Sequence, residues 1–159
     1  MFAMPVPCFA SHANLRSHIV SAARICYISC MRKIDAHPSH LPRPQKEAVV
    51  SKAVLRSAER LGISNRLLGR VIGLSEASLS RMARDQFTLA LGEKPYELSL
   101  LFIRLFRSLD SIVGGDEATA RAWLRNENLA LGDKPIAMIE TVPGLVSVVE
   151  YLDAERAVV

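Results

Sequence analysis

The sequence predicts an all-α fold, a helix-turn-helix body followed by a smaller helical domain. Three observations carry that prediction. Apolar residues recur at helical spacing from Gln45 to Leu61. Two serines, Ser64 and Ser75, stand where short helices would begin, with glycines at 69 and 73 between them. Pro95, Pro135 and Pro143 each stand at the first turn of a further apolar-periodic run, where a missing N–H costs a helix nothing.

Composition bounds the rest. With 159 residues, 50% hydrophobic and 23% charged, the chain can bury a real core and is neither fibrous nor wholly disordered. No apolar run approaches the roughly 20 residues of a membrane helix, because Arg104 ends the longest, which starts at Leu98. The formal charge of +4 divides unevenly. Residues 1–44 carry 5 Lys/Arg against 1 Asp/Glu, residues 45–110 carry 11 against 7, and residues 111–159 carry 4 against 8. A basic body joined to an acidic end points to different partners for the two.

Residues 1–44 read as a poorly ordered leader and linker. They hold all three cysteines (Cys8, Cys26, Cys30) and all four histidines (His12, His18, His37, His40). A zinc site of Cys26, Cys30, His37 and His40 fails on spacing: only two residues separate the histidines, and Pro38 breaks the chain there. No metal and no cofactor are expected. The odd cysteine count argues for a reducing compartment, hence the cytoplasm. A basic start followed by an apolar stretch is missing, which argues against a secretion signal. Met31, followed by Arg32-Lys33, would make a plausible start of its own, and the proline-rich run His37–Pro44 sets a boundary.

The body spans 45–112, with the helix-turn-helix at 64–84. Gly62 ends the first helix. Ser64 caps the second and Ser75 the third, with Gly73 supplying the positive φ of the turn. A steep helix crossing needs a small residue, here Gly69, and apolar contacts from Leu68, Ile72, Leu74, Leu79 and Met82 to fix the angle. Such a pair can bind DNA or serve only as packing. The third helix would expose Ser75, Glu76, Ala77, Ser78, Ser80, Arg81 and Arg84. Small polar side chains at its start suit base edges, and the arginines suit guanine or phosphate. Arg66 and Arg70 on the preceding helix would grip the backbone. Glu76 is repulsive toward phosphate unless it accepts a hydrogen bond from cytosine.

Leu89-Ala90-Leu91-Gly92-Glu93-Lys94-Pro95 recurs as Leu129-Ala130-Leu131-Gly132-Asp133-Lys134-Pro135. Two copies make no solenoid. In each, an apolar stretch is expected to dock on the core, glycine to turn the chain and proline to open a helix. The helix from Pro95 to Val113 carries an apolar face of Leu98, Leu101, Phe102, Leu105, Phe106 and Leu109. Asp116 caps a helix to Asn126 bearing the sole tryptophan, Trp123, assigned to the core. A short helix, Pro135 to Ile139, and a last one to about Arg156 complete residues 113–159.

Ala122-Trp123-Leu124, then Asn126 through Ile136, Thr141, Gly144 and a Val-rich last helix behind a helix-turn-helix resemble the Xre/ParS/MbcA antitoxins. Within that group the sequence looks most like the Xre antitoxins paired with RES-domain toxins. The resemblance spans about residues 46–156. It departs from the family at Asp133-Lys134, where a second glycine and a small residue are common. It implies an all-helical homodimer whose C-terminal domain covers the active site of a toxin that consumes NAD⁺ or attaches ADP-ribose to proteins. It also implies repression of the protein's own operon. The residues assigned to toxin binding are Asn126, Asn128, Val148, Glu150, Tyr151, Leu152, Asp153, Glu155 and Arg156. Independently, an acidic domain is poorly suited to nucleic acid and well suited to a basic protein cleft. The segment 141–159 is expected to be removable without loss of DNA binding.

No phosphate loop, metal-binding His-Glu pair, nucleophile elbow or paired-carboxylate pattern is present, and the histidines lie outside the expected core, so no enzymatic activity is expected. The alternative reading is a stand-alone regulator whose C-terminal domain only dimerises.

Overall fold

The first helix starts earlier than hydrophobic periodicity places it, at Arg43, inside the segment read as linker. In the computed structural model, residues 42–158 are described. The cysteines, the histidines and Met31 lie outside the described residues. Helix α1 runs Arg43–Arg60. Pro44 fixes φ in its first turn, and the Pro42 carbonyl accepts from the N–H groups of Gln45 and Lys46 at 2.9 and 3.1 Å.

Helix α1 then receives the first Leu-Ala-Leu-Gly stretch. Ser51 Oγ accepts from Leu89 N–H at 2.9 Å, and Glu47 Oε1 accepts from Leu91 N–H at 2.9 Å. Arg43 donates to the Leu91 carbonyl at 3.0 Å and to Glu47 at 3.1 Å. Leu89 is driven into the core, 1% exposed, while the polar groups beside it are satisfied. The Leu91 N–H, and then Arg43, hold the Glu47 carboxyl below the usual carboxylate range.

Helices α2 (Asn65–Ile72) and α3 (Glu76–Ala83) form the helix-turn-helix. Ser64 Oγ accepts from Leu67 N–H at 3.3 Å and Ser75 Oγ from Ser78 N–H at 3.1 Å, so both expected caps form. Gly73 ends α2 at φ +75°. Gly69 is required for a different reason: a Cβ there would stand 2.5 Å from the Leu74 carbonyl oxygen. The backbone after the turn folds directly over α2, and Leu68, Ile72, Leu79 and Met82 are buried beneath it.

Helix α4 (Lys94–Ile112) packs against α1 and α2 and also against the last helix, α7 (Val142–Val158). Phe102, Leu105 and Leu109 are fully enclosed. On α7 the residues Leu145, Val148, Val149 and Leu152, spaced i, i+3, i+4, i+7, are buried against it. Val148 and Leu152 were assigned to toxin contact. At 0% and 1% exposure they are core residues instead, because they lie on the α4-facing stripe of α7. The same packing corrects the expectation that residues 141–159 are dispensable to the body: one apolar cluster runs from Val54 to Leu152, and cutting α7 away would bare the fully buried residues of α4.

Helix α5 (Glu117–Arg125) is tied to the end of α1. Arg121 Nε donates to the Arg60 carbonyl at 2.8 Å and Arg125 to the Gly62 carbonyl at 3.0 Å, so two cations meet the negative end of α1. Arg60 reaches back to Glu117 at 3.0 Å and Asp110 at 3.2 Å, and lies 5.0 Å from the centroid of the Phe106 ring. Trp123 is partly buried against the core, stacked on Tyr151 with ring centroids 6.2 Å apart. After α6 (Pro135–Met138), Gly144 passes so close to the Met138 carbonyl oxygen that a Cβ would stand 2.1 Å from it.

The second Leu-Ala-Leu-Gly stretch departs from expectation. Leu131 is partly buried, but Leu129 is 98% exposed. Asn128 Oδ1 accepts from the N–H groups of Ala130 and Leu131 at 2.9 and 3.2 Å, and Asn128 pairs with Asp133 in a single bridge. That tight turn lifts Leu129 off the surface.

Replacing Gly69 by alanine is expected to destabilise the fold by about 1–3 kcal/mol, the cost of forcing a methyl group into a packed crossing. Urea unfolding of the variant against the wild type measures it. Gly73→Ala, which meets no atom within 4 Å but keeps a positive φ, separates contact from backbone strain.

Candidate functional site

Two faces are built by this packing, one on α3 and one around the C-terminal helices. On α3, Ser75, Glu76 and Ala77 are exposed in and just before the first turn, and Arg81 and Arg84 are exposed further along. The hydroxyls are engaged within the helix: Ser78 Oγ lies 3.0 Å from Ser75 Oγ and accepts from Arg81 at 3.2 Å, and Ser80 Oγ accepts from Arg84 at 2.8 Å. Arg81 also lies over the Phe87 ring, 5.8 Å from its centroid. These contacts hold the two guanidinium groups along one side of α3, and Ser78 and Ser80 are half-buried under them. Glu76 has a local role too, since a carboxylate in a helix's first turn meets its positive end.

Arg66 is exposed on α2. Arg70, on the same helix, pairs with Glu140 at 3.1 Å. Sequence reasoning missed Glu140, and no local pattern could have revealed it, because the two residues meet only through the tertiary fold. Both are partly open to solvent, so the pair is weak enough for a phosphate to displace.

On the C-terminal side, Glu150 and Glu155 are exposed on α7 and form no ion pair among the described residues. Asn126 is exposed at the end of α5, whereas Asn128 is occupied in its turn. Tyr151 keeps one face on Trp123 and is half-buried. Arg156 is exposed beside a groove also lined by Leu100, Ile103, Arg104 and Arg107.

Asp153 was assigned to toxin contact, and its carboxylate is spent inside the fold. Oδ1 accepts from the fully buried Ser108 hydroxyl at 2.6 Å, Oδ2 faces Arg104 at 2.5 Å, and Arg156 stands 3.9 Å away. The Ser108 hydrogen bond first, then Arg104, hold its carboxyl below the usual aspartate range against the opposing effect of burial. It locks α7 to α4.

A helix-turn-helix with arginines along its second helix, joined through a shared core to helices whose outward carboxylates are uncompensated, defines a helix-turn-helix protein with an appended protein-binding region. Residues 40–104 match the antitoxin Xre-like helix-turn-helix domain, and residues 108–157 match the antitoxin Xre/MbcA/ParS C-terminal toxin-binding domain. The chain belongs to the Xre/MbcA/ParS-type antitoxins. No curated protein matches it.

Asp153→Asn is expected to lower stability, because an amide answers Ser108 and Arg104 less well than a carboxylate. The folded carboxyl titrates below the unfolded one, so the contribution is complete above about pH 4 and is lost as pH falls through the lowered folded value. The stability gap between wild type and variant, followed by chemical unfolding from pH 7 to pH 3, should therefore narrow on acidification.

Proposed function

We propose that this antitoxin neutralises a RES-domain toxin, one that consumes NAD⁺ or transfers ADP-ribose to proteins, by laying its C-terminal helices over the toxin's active-site cleft. The observation that carries the reading is the division of carboxylates within the toxin-binding match: Glu117, Glu140 and Asp153 are paired with the protein's own arginines, while Glu150 and Glu155 are left outward. A cleft that receives the pyrophosphate of NAD⁺ is usually basic, and outward carboxylates complement it. Asn126 and the exposed edge of Tyr151 would complete the contact. The protein acts in the cytoplasm as a homodimer and uses no cofactor.

The helix-turn-helix serves the same circuit by binding the operator of its own genes, with Arg81 and Arg84 on the duplex and Arg66 and Arg70 on its backbone. Its support is the exposed row of guanidinium groups that α3 and its caps hold in place. No helix of the described residues is long and apolar enough to cross a membrane.

Reversing both free charges, Glu150→Lys with Glu155→Lys, is expected to weaken binding to the RES-domain toxin that this reading assigns to it by at least about 10-fold. Growth rescue on co-expression should be lost, with unfolding and operator binding unchanged because both side chains are exposed. Full rescue by the double variant would refute the acidic contact. For the helix-turn-helix, Arg81→Ala should weaken operator binding and flatten the slope of log K against log salt by about 1 if Arg81 meets phosphate. Unchanged binding across the titration would leave the helix pair as scaffold.

A further inference from the structure

Leu129 is the most exposed large apolar side chain among the described residues. Val49, Leu91, Leu100 and Val142, the others that stand out, are 38% to 56% exposed and lie partly against the surface, whereas Leu129 is 98% exposed. A single surface leucine normally needs no explanation. Here an internal comparison supplies one. The same seven-residue pattern buries its first leucine at Leu89 and presents it at Leu129, and the difference lies in the residues at the turn's ends. Thr88 precedes the first copy, which lies flat on α1 through Ser51 and Glu47. Asn128 and Asp133 bracket the second, close it with the Asn128–Asp133 bridge and a Gly132 N–H to Asn128 carbonyl bond of 2.8 Å, and leave the leucine at the tip.

Holding an apolar side chain in water on a fixed turn costs solvation and brings the fold nothing. It does prepare an anchor, because a side chain on an ordered turn loses little further freedom on binding. The surroundings specify what the anchor meets. Glu127 and Asp133 flank it in the chain, both exposed and neither in an ion pair among the described residues, although Asp133 Oδ1 accepts from the Lys134 N–H at 2.6 Å and Lys134 is itself exposed. A leucine between two such carboxylates fits an apolar socket with a basic rim. It poorly fits the acidic surface of a second copy of these helices, and it repels nucleic acid.

We propose that Leu129 is the apolar anchor by which this antitoxin seats itself on its toxin, entering a socket rimmed by basic residues, with Glu127 and Asp133 meeting the rim. The inference rests on the toxin-binding reading above and adds a contact that lies outside α7. Because Leu129 touches little of its own fold, its substitutions report on binding alone.

The test uses the full chain and the purified RES-domain toxin assigned to it above, with affinity read by calorimetry, unfolding temperature by circular dichroism and molecular mass by light scattering. Leu129→Ala should lower affinity at least about 10-fold and Leu129→Asp should lower it further, as truncation and then charging of a central anchor do. Leu129→Met should stay within about 3-fold of wild type, since it keeps the volume and apolar character of the anchor. All three should unfold within about 2 °C of wild type, as surface substitutions do. Wild-type affinity in Leu129→Asp would overturn the anchor while leaving the toxin-binding reading intact. Failure of the wild-type chain itself to bind would overturn that reading and the anchor with it. Dissociation of a wild-type dimer by Leu129→Asp, with toxin affinity retained, would give the leucine to a second copy and overturn the proposal.

Discussion

Everything in this molecule depends on the enclosure of α4. A helix buried along one stripe needs one partner, whereas α4 is covered by α1 and α2 on one side and by α7 on the other. Phe102, Leu105 and Leu109 are fully buried within that enclosure. The toxin-binding helices are therefore not a detachable appendage. They complete the core on which the helix-turn-helix stands, and a cut between the two parts would expose apolar surface on each.

The polar contacts follow that geometry. Ser108 is buried on α4 and requires an acceptor, which Asp153 of α7 provides while Arg104 balances its charge. Arg121 and Arg125 of α5 satisfy carbonyls at the open end of α1, and Arg60 answers with Glu117. Glu140 holds Arg70. Each of these arginine and carboxylate groups is consumed in joining one half to the other. What remains outward includes Arg66 and the guanidinium row of α3, with Glu76 beside it, on the helix-turn-helix, and Glu127, Asp133, Glu150 and Glu155, with Lys134 and Arg156 among them, at the other end. The charge split of the chain thus persists at the surface as an excess of each sign and not as a separation.

The Arg70–Glu140 pair is the point where the two faces touch. Both side chains are partly open to solvent, so the pair contributes little to stability.

How much of this was legible beforehand depends on the range of the forces involved. The caps at Ser64 and Ser75, the positive φ of Gly73, the proline-led helices and the apolar stripe of α4 follow from interactions within a few residues, and those were readable. Gly69 was legible as a small residue at a crossing, although the atom that demands it, the Leu74 carbonyl oxygen, was not. On α7 the alternation of apolar and charged residues identifies a helix without saying which stripe faces α4, so Val148 and Leu152, expected at a contact, are core. Asp153 looked like one more surface acid until Ser108, distant in sequence, claimed it. The two Leu-Ala-Leu-Gly stretches are the sharpest case. The turn at each glycine and the helix start at each proline are properties of single residues and can be read from the chain. That Leu89 is buried and Leu129 presented rests also on what lies beneath each stretch: α1, with Ser51 and Glu47, receives the first, while the Asn128–Asp133 turn carries the second outward.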